Sequence, residues 1–186
     1  MPEPVAACGR CLRKPPPLDR VLAAFNYGFP VDRLLPRFKF HHDLAAGREL
    51  AEATLAMLAG ALPADPADRP QALVAVPLHP KRLRQRGYNQ ALELAKPLSS
   101  AFAVPLLRDG LRRIRDIAPQ SGLGALARRR NPRGAFAAGS DMFPSHVALV
   151  DDVMTTGATL YECARVLRRA GVHRVDAWVA ARVPSR

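Results

Sequence analysis

Apolar and polar positions along the chain follow two periods. Residues 46 to 60 look helical: Leu50, Thr54, Leu58 and, just past the end, Leu62 recur at four-residue spacing with Leu55 beside them, while Arg48, Glu49 and Glu52 fall opposite. This predicts a helix with one buried face. PADPADRPQ, at 63 to 71, reads as an exposed link rich in proline and aspartate. ALVAVP then gives a short apolar run ending in proline, which predicts a buried strand from Leu73 to Val76. The basic stretch LHPKRLRQRGYNQ is expected to be a loop, followed by a helix from about Asn89 to Leu98 and a strand from Ala103 to Leu107. The clearest strand is Val147 to Val150, and the clearest helix starts just past Gly157. Leu160, Cys163, Ala164 and Leu167 form that helix's buried stripe, with Gly171 placed to end it. A last strand spans Val172 to Ala180. Strand, helix and strand at this spacing imply a right-handed crossover between parallel strands. The fold expected is α/β, built on an open, mostly parallel sheet.

Around this frame lie less regular segments. Residues 1–18, with CGRC and the proline run Pro15 to Pro17, read as an arm. Residues 19–45 carry aromatics and short apolar runs punctuated by Pro30 and Pro36, and read as a small hood or flap. Residues 112–134 have poor strand periodicity and many arginines, and read as a flexible basic excursion. With 186 residues and 48% hydrophobic composition, one domain is expected.

Charge narrows the choice of partner. Lysine and arginine number 28 against 16 acidic residues, and of the net +12, residues 79–133 carry 13 basic and 3 acidic side chains. Such a field suits an anion: phosphate, pyrophosphate or nucleic acid. No run of 18 apolar residues is present, and MPEPVAACGRC does not resemble a signal segment. A cytoplasmic protein without membrane insertion is therefore expected. Three cysteines cannot all pair with one another, which agrees with a reducing compartment.

The most specific chemistry lies in HVALVDDVMTTGATL, residues 146–160. Open parallel sheets bind ligands at the carboxyl ends of their strands, and VALV delivers Asp151 and Asp152 to that edge. Carboxylates accept hydrogen bonds from vicinal hydroxyls, so both are expected to turn toward one polyhydroxyl group. The turn Met154-Thr155-Thr156-Gly157-Ala158-Thr159 can gather backbone N–H groups and hydroxyls around one phosphate at a helix start. Neither a GxxxxGK[ST] loop nor a GxGxxG fingerprint occurs. Taken singly, each aspartate or threonine could be an ordinary cap; the whole constellation after a buried strand points to a sugar phosphate.

VALVDDVMTTGAT resembles the phosphoribosyl pyrophosphate (PRPP) motif of type I phosphoribosyltransferases. Together with VPLHPKRLRQRGYNQ and QSGLGALARRRNPRGAF it is similar to the ComF family, phosphoribosyltransferase-like proteins associated with natural competence, over Cys8 to about Val183. The resemblance implies a type I phosphoribosyltransferase sheet over residues 46–186 with the small N-terminal hood before it. It implies that Asp151 and Asp152 hold the ribose 2′ and 3′ hydroxyls, and that Thr155, Thr156, Gly157, Ala158 and Thr159 cradle the 5′-phosphate. Lys81, Arg82 and Arg86 would contact pyrophosphate, the arginine-rich excursion would be the closing loop, and Phe25 to Phe40 would face the acceptor. Asp151 and Asp152 would also position Mg2+, through water or substrate. The third motif rests on Gln120, Leu123, Arg129, Asn131, Gly134, Ala135 and Phe136. Family members commonly have threonine three residues before the glutamine, where this chain has Ile117. Phe136 reads as a core anchor, and His79 as structural.

Cys8 and Cys11 have the spacing of half a zinc knuckle. The family often has a four-cysteine module, and here only its second pair is present, so a degenerate module or a start placed too late is expected rather than bound zinc. Cys163 reads as a core cysteine. Two functional classes remain open. One is a PRPP binder or transferase acting on an unnamed acceptor, with release of pyrophosphate and a link to DNA uptake and the competence machinery. The other binds single-stranded DNA through Arg128, Arg129 and Arg130 without turnover.

Overall fold

The apolar run before the paired aspartates becomes the middle of a sheet. The computed structural model describes residue 13, residues 15–115 and residues 132–184. In it, β6 (His146–Met154) lies between β2 (Ala72–Ala75) and β7 (Arg174–Arg182). β1 (Arg20–Asn26) and β3 (Leu106–Leu107) form the edges, in the order β1-β7-β6-β2-β3, and every pairing is parallel. The open parallel α/β sheet expected from the hydrophobic pattern is therefore the fold observed. Val147 and Leu149 of β6 pack on one face with Val175, Ala177 and Val179 of β7. Ala148 and Val150 pack on the other with Trp178 and Ala180. Burial on both faces is what makes these strands read as nearly unbroken apolar runs.

Helices cover the two faces unequally. α5 (Ala158–Arg169) covers the first with the stripe Leu160, Cys163, Ala164 and Leu167. α1 (Val31–Phe40), α2 (Leu44–Ala59) and α4 (Gln90–Phe102) cover the second, through Leu35, Phe38, Leu50, Leu58, Leu94 and Leu98. Phe38 comes very close to α2, because a Cβ added at Gly47 would lie 2.4 Å from its ring. The chain leaves β2 toward α4 on one face and leaves β6 toward α5 on the other. The carboxyl ends of these two neighbouring strands thus form a topological switch point, where the crevice of an open α/β sheet opens.

Three segments differ from the sequence expectation. The basic stretch expected as a loop contains a short helix, α3 (Pro80–Arg86): Pro80 starts it, His79 Nδ1 accepts from the Lys81 amide at 3.3 Å, and Gly87 at φ 73° ends it. α4 continues past Pro97 to Phe102, so the strand expected over Ala103 to Leu107 shrinks to Leu106–Leu107. The segment expected as a flap enters the sheet as β1, paired with β7 from Arg20↔Asp176 to Asn26↔Arg182, before turning back as α1. At the base of the basic excursion, β4 (Leu111–Arg113) and β5 (Phe136–Ala138) pair antiparallel, and Phe136 is buried against the α5 face as a core anchor. Among the described residues no helix is long and apolar enough to cross a membrane.

Trp178 is 1% exposed, lies edge-on to Phe102 at 5.6 Å, and its indole Nε1 has no hydrogen-bond partner among the described residues. Its contribution is therefore volume and apolar area. Trp178→Ala is expected to cost about 3–5 kcal/mol and Trp178→Phe less than about 2 kcal/mol, measured by denaturant unfolding.

Candidate functional site

β6 does not stop at the aspartates. It runs on to Met154 with Asp151 opposite Val179, so both acids stand inside the ladder. Adjacent strand residues start toward opposite faces, yet the two carboxylates act on one another's charge and both feel Lys39. Asp152, 6% exposed, faces α1, where Lys39 Nζ lies 2.9 Å from its Oδ2. Asp151 is half-buried, feels the charge of Arg113 at the base of the basic excursion, and accepts the Asp152 amide on Oδ1 at 2.9 Å. Burial, and then the charge of Asp152, push its pKa up to about 7, against the opposing pull of Lys39, the amide of Asp152 and Arg113.

Beyond the strand the chain turns sharply. Gly157 sits at φ 75° and ψ 0°, its carbonyl accepts the Tyr161 amide at 2.8 Å, and the Ala158 amide reaches Thr156 Oγ1 at 3.5 Å. Asp151 and residues 153–160 line a cavity of about 110 Å³. All five residues expected to cradle a phosphate, Thr155, Thr156, Gly157, Ala158 and Thr159, are in this lining, with the first turn of α5 below them.

The basic stretch approaches from β2. Asn89 Nδ2 donates to the Val76 carbonyl at 3.0 Å and its Oδ1 accepts the Ala91 amide at 3.1 Å, fixing both the end of β2 and the start of α4. Arg86 donates to Gln90 Oε1 at 3.0 Å, and its guanidinium lies 5.2 Å from the centre of the Phe40 ring. Burial presses its pKa down, opposed by the charge of Asp152 and aided by that of Arg82. The structure thus brings Arg86 within the field of Asp152, with Arg82 close enough to Arg86 to oppose its charge. Lys81 lies with Arg84 and Gln85 along a separate open hollow of about 320 Å³.

Three charged residues of the site were not foreseen. Lys39 reaches Asp152 and the charge of Arg113 acts on Asp151, each from a distant segment, and neither carries a local signal. Glu162, buried on α5, accepts the Gly134 amide at 2.9 Å and pairs with Arg165 at 3.0 Å, tying the end of the basic excursion to the helix. Its place beside Cys163, within an apolar stripe, was the available hint. Cys163 is fully buried and burial raises its thiol pKa well above the usual value, so it is a core residue. Cys8, Cys11, Ile117, Gln120, Leu123, Arg128, Arg129, Arg130 and Asn131 lie outside the described residues. Among the described residues, no group of three or more His, Cys, Asp or Glu side chains could hold a metal ion.

No family model matches the chain. It is 38% identical over 178 residues to Competence protein F of Haemophilus influenzae, an alignment covering 94% of this chain and 78% of that one. It is 34% identical over 175 residues to the DNA utilization protein YhgH of Escherichia coli, covering 94% and 77%. The corresponding protein of Salmonella typhimurium is 34% identical over 180 residues, covering 97% and 79%. Among solved structures, the allosteric regulatory enzyme of purine biosynthesis superposes with a TM-score of 0.44 and 19% identity, over 72% of this chain and 25% of that one. With a relative this similar over most of both lengths, the chain belongs to the ComF family.

A side chain at Gly157 would enter the floor of the cavity. Its Cβ would lie 2.6 Å from Met154 Cε and 2.7 Å from Tyr161 Cζ, at a φ that L residues rarely adopt. Gly157→Ala is expected to cost about 2–4 kcal/mol in thermal or denaturant unfolding, from strain and overpacking together.

Proposed function

We propose that this ComF-family chain binds PRPP and transfers its phosphoribosyl group to an acceptor, releasing pyrophosphate. The observation that carries the reading is the continuity of one segment. A buried strand carries Asp151 and Asp152, runs on to Met154 and passes directly into the Gly157 turn, whose residues line a cavity of about 110 Å³ at the head of α5. In this reading the 5′-phosphate occupies the turn, held by backbone N–H groups and threonine hydroxyls and favoured by the helix start. The ribose hydroxyls lie against Asp151 and Asp152. The diphosphate extends toward Arg82 and Arg86, with Lys81 farther round the same short helix, and these cations stabilise the charge that gathers as the bond from the anomeric carbon to pyrophosphate breaks. The acceptor forms the new bond to that carbon and gives up its proton. No protein nucleophile is needed; the chain contributes orientation and charge.

The donor set fits Mg2+. Two neighbouring carboxylates, one with its pKa raised to about 7 by burial and by the other's charge, share the close cation Lys39, and their oxygens are hard ligands. Mg2+ is commonly held by one or two carboxylates plus substrate phosphates, so the lack of a three-residue protein cluster among the described residues agrees with it. Asp151 and Asp152 would hold the ion, which would supply charge neutralisation at the diphosphate.

A second reading is binding of single-stranded nucleic acid without turnover. It is supported by the relatives' names, which speak of competence and DNA utilization, and by Phe40, 65% exposed, with Arg86 over its ring. Aromatic faces beside cations suit stacked bases and phosphates.

Calorimetry with PRPP and Mg2+ separates the two. Wild type is expected to bind, and Asp151→Asn with Asp152→Asn to lose about a hundredfold or more in affinity. Because Asp151 must be ionised to act and is so only above about pH 7, affinity is expected to rise about tenfold from pH 6 to pH 8, a dependence that Asp151→Asn removes. Single-stranded DNA binding that persists in the double variant and falls steeply with salt, with no PRPP affinity in wild type, selects the second reading.

A further inference from the structure

We propose that Lys39, on the hood helix α1, is a positioning residue of this site: it holds Asp152 where a ribose hydroxyl can use it, and makes the seating of the hood depend on that carboxylate. The inference rests on the sugar-phosphate reading above. It concerns a residue that belongs neither to the acidic motif nor to the basic stretch.

Three consecutive residues at the end of α1 touch three parts of the site. The Phe38 carbonyl accepts the Tyr88 hydroxyl, and the two rings lie 5.4 Å apart. Lys39 Nζ is 2.9 Å from Asp152 Oδ2, with side chains only 18% and 9% exposed. Phe40 lies beneath Arg86, which is itself tied to Gln90 at the start of α4. The end of α1 therefore bridges the acid at the carboxyl end of β6 and the residues that follow the basic helix.

The apolar face of the helix seats its body, which leaves Lys39 to fix the helix end. Val31, Leu35 and Phe38 are each no more than 3% exposed, and Phe38 fits over Gly47. A lysine drawn into so closed a position sacrifices hydration and side-chain freedom, and it points at the more buried of the two acids. An ammonium is a compact charge on a flexible stem: it engages one carboxylate oxygen and leaves the other's lone pairs for a hydroxyl. Without it, a buried carboxylate beside a second acid would have lost its nearest countercharge.

The test is a double-mutant cycle on the full chain, read as PRPP affinity with Mg2+ by calorimetry in wild type, Lys39→Met, Asp152→Asn and the double variant. Lys39→Met is expected to weaken binding about ten- to hundredfold, as loss of a ligand-orienting partner does. The double variant is expected to bind no more weakly than Asp152→Asn, because Lys39 acts through Asp152, and Lys39→Arg to recover most of the loss. Equal losses from Lys39→Met in both backgrounds, or an unchanged affinity, overturn the proposal. Lys39→Gln takes the place of Lys39→Met in the same cycle if methionine prevents folding. Amide exchange over residues 31–40 gives a readout that needs no ligand: it is expected to quicken about tenfold in Lys39→Met while residues 44–59 stay unchanged. Unaltered exchange refutes the link to the hood. Absence of PRPP affinity in wild type refutes the reading of the site itself.

Discussion

A strand covered on both faces cannot carry two adjacent carboxylates at its end without an arrangement for their charge, and most of the site follows from that constraint. β6 is buried from His146 through Val150, and the acids continue its ladder into a region walled by α1 on one side and α5 on the other. Alternation starts the two carboxylates toward opposite faces, yet they share their cations. Asp152 pairs with Lys39, whose charge also acts on Asp151 ahead of that of Arg113, and Asp151 keeps a pKa near neutrality, at about 7. What looks in sequence like a pair of equivalent hydroxyl acceptors is an asymmetric device, with one acid held by an ion pair and the other poised between charge states. Neither acid would sit comfortably deeper in the sheet, where no cation could reach it.

The same constraint explains why the basic charge lies where it does. β2 and β6 are neighbours whose onward helices cover opposite faces, so the segments that leave their carboxyl ends border one crevice. One segment carries the acids and the glycine turn, the other the cations of α3. Asn89, bonded both to the end of β2 and to the start of α4, fixes where the cationic segment comes to rest. Arg86 then feels both Asp152 and Arg82. The two arginines repel one another, and the charge of Asp152 supports Arg86 against the effect of burial. A dense set of cations of this kind is costly in a ligand-free chain, and an anionic ligand relieves the cost.

Legibility in the sequence tracked the distance over which each feature is determined. The core of β6, the stripe Leu160, Cys163, Ala164 and Leu167, and the buried face Leu50, Thr54 and Leu58 follow from periodicity within one element, and they were readable. The Gly157 turn was readable because its chemistry is local: a left-handed glycine, hydroxyls and a helix start within five residues. α3 reads as a loop although Pro80 and Gly87 mark its ends, because its arginines offer no apolar stripe to count. β1 was taken for a flap because an edge strand that pairs with β7, at the far end of the chain, owes its register to residues more than 150 positions away. Lys39 lay beyond reach for the same reason: a lysine between two phenylalanines reads as a solvated side chain until the sheet places Asp152 opposite it.

That division has a physical consequence for how the site can vary. The Gly157 turn is encoded by one continuous segment and depends on little else, so it can persist while its surroundings change. The hood rests on side chains converging from separate elements: Lys39 on Asp152, Phe40 under Arg86, and the Tyr88 hydroxyl on the Phe38 carbonyl. Loss of any one of these contacts leaves the others to hold the helix end, but with its geometry altered next to the acids. The continuous turn is therefore robust, while the helix end nearest the exposed Phe40 is adjustable by single substitutions. On the PRPP reading proposed above, one cradle serves different acceptors, with the acids kept fixed and the end of α1 retuned around them.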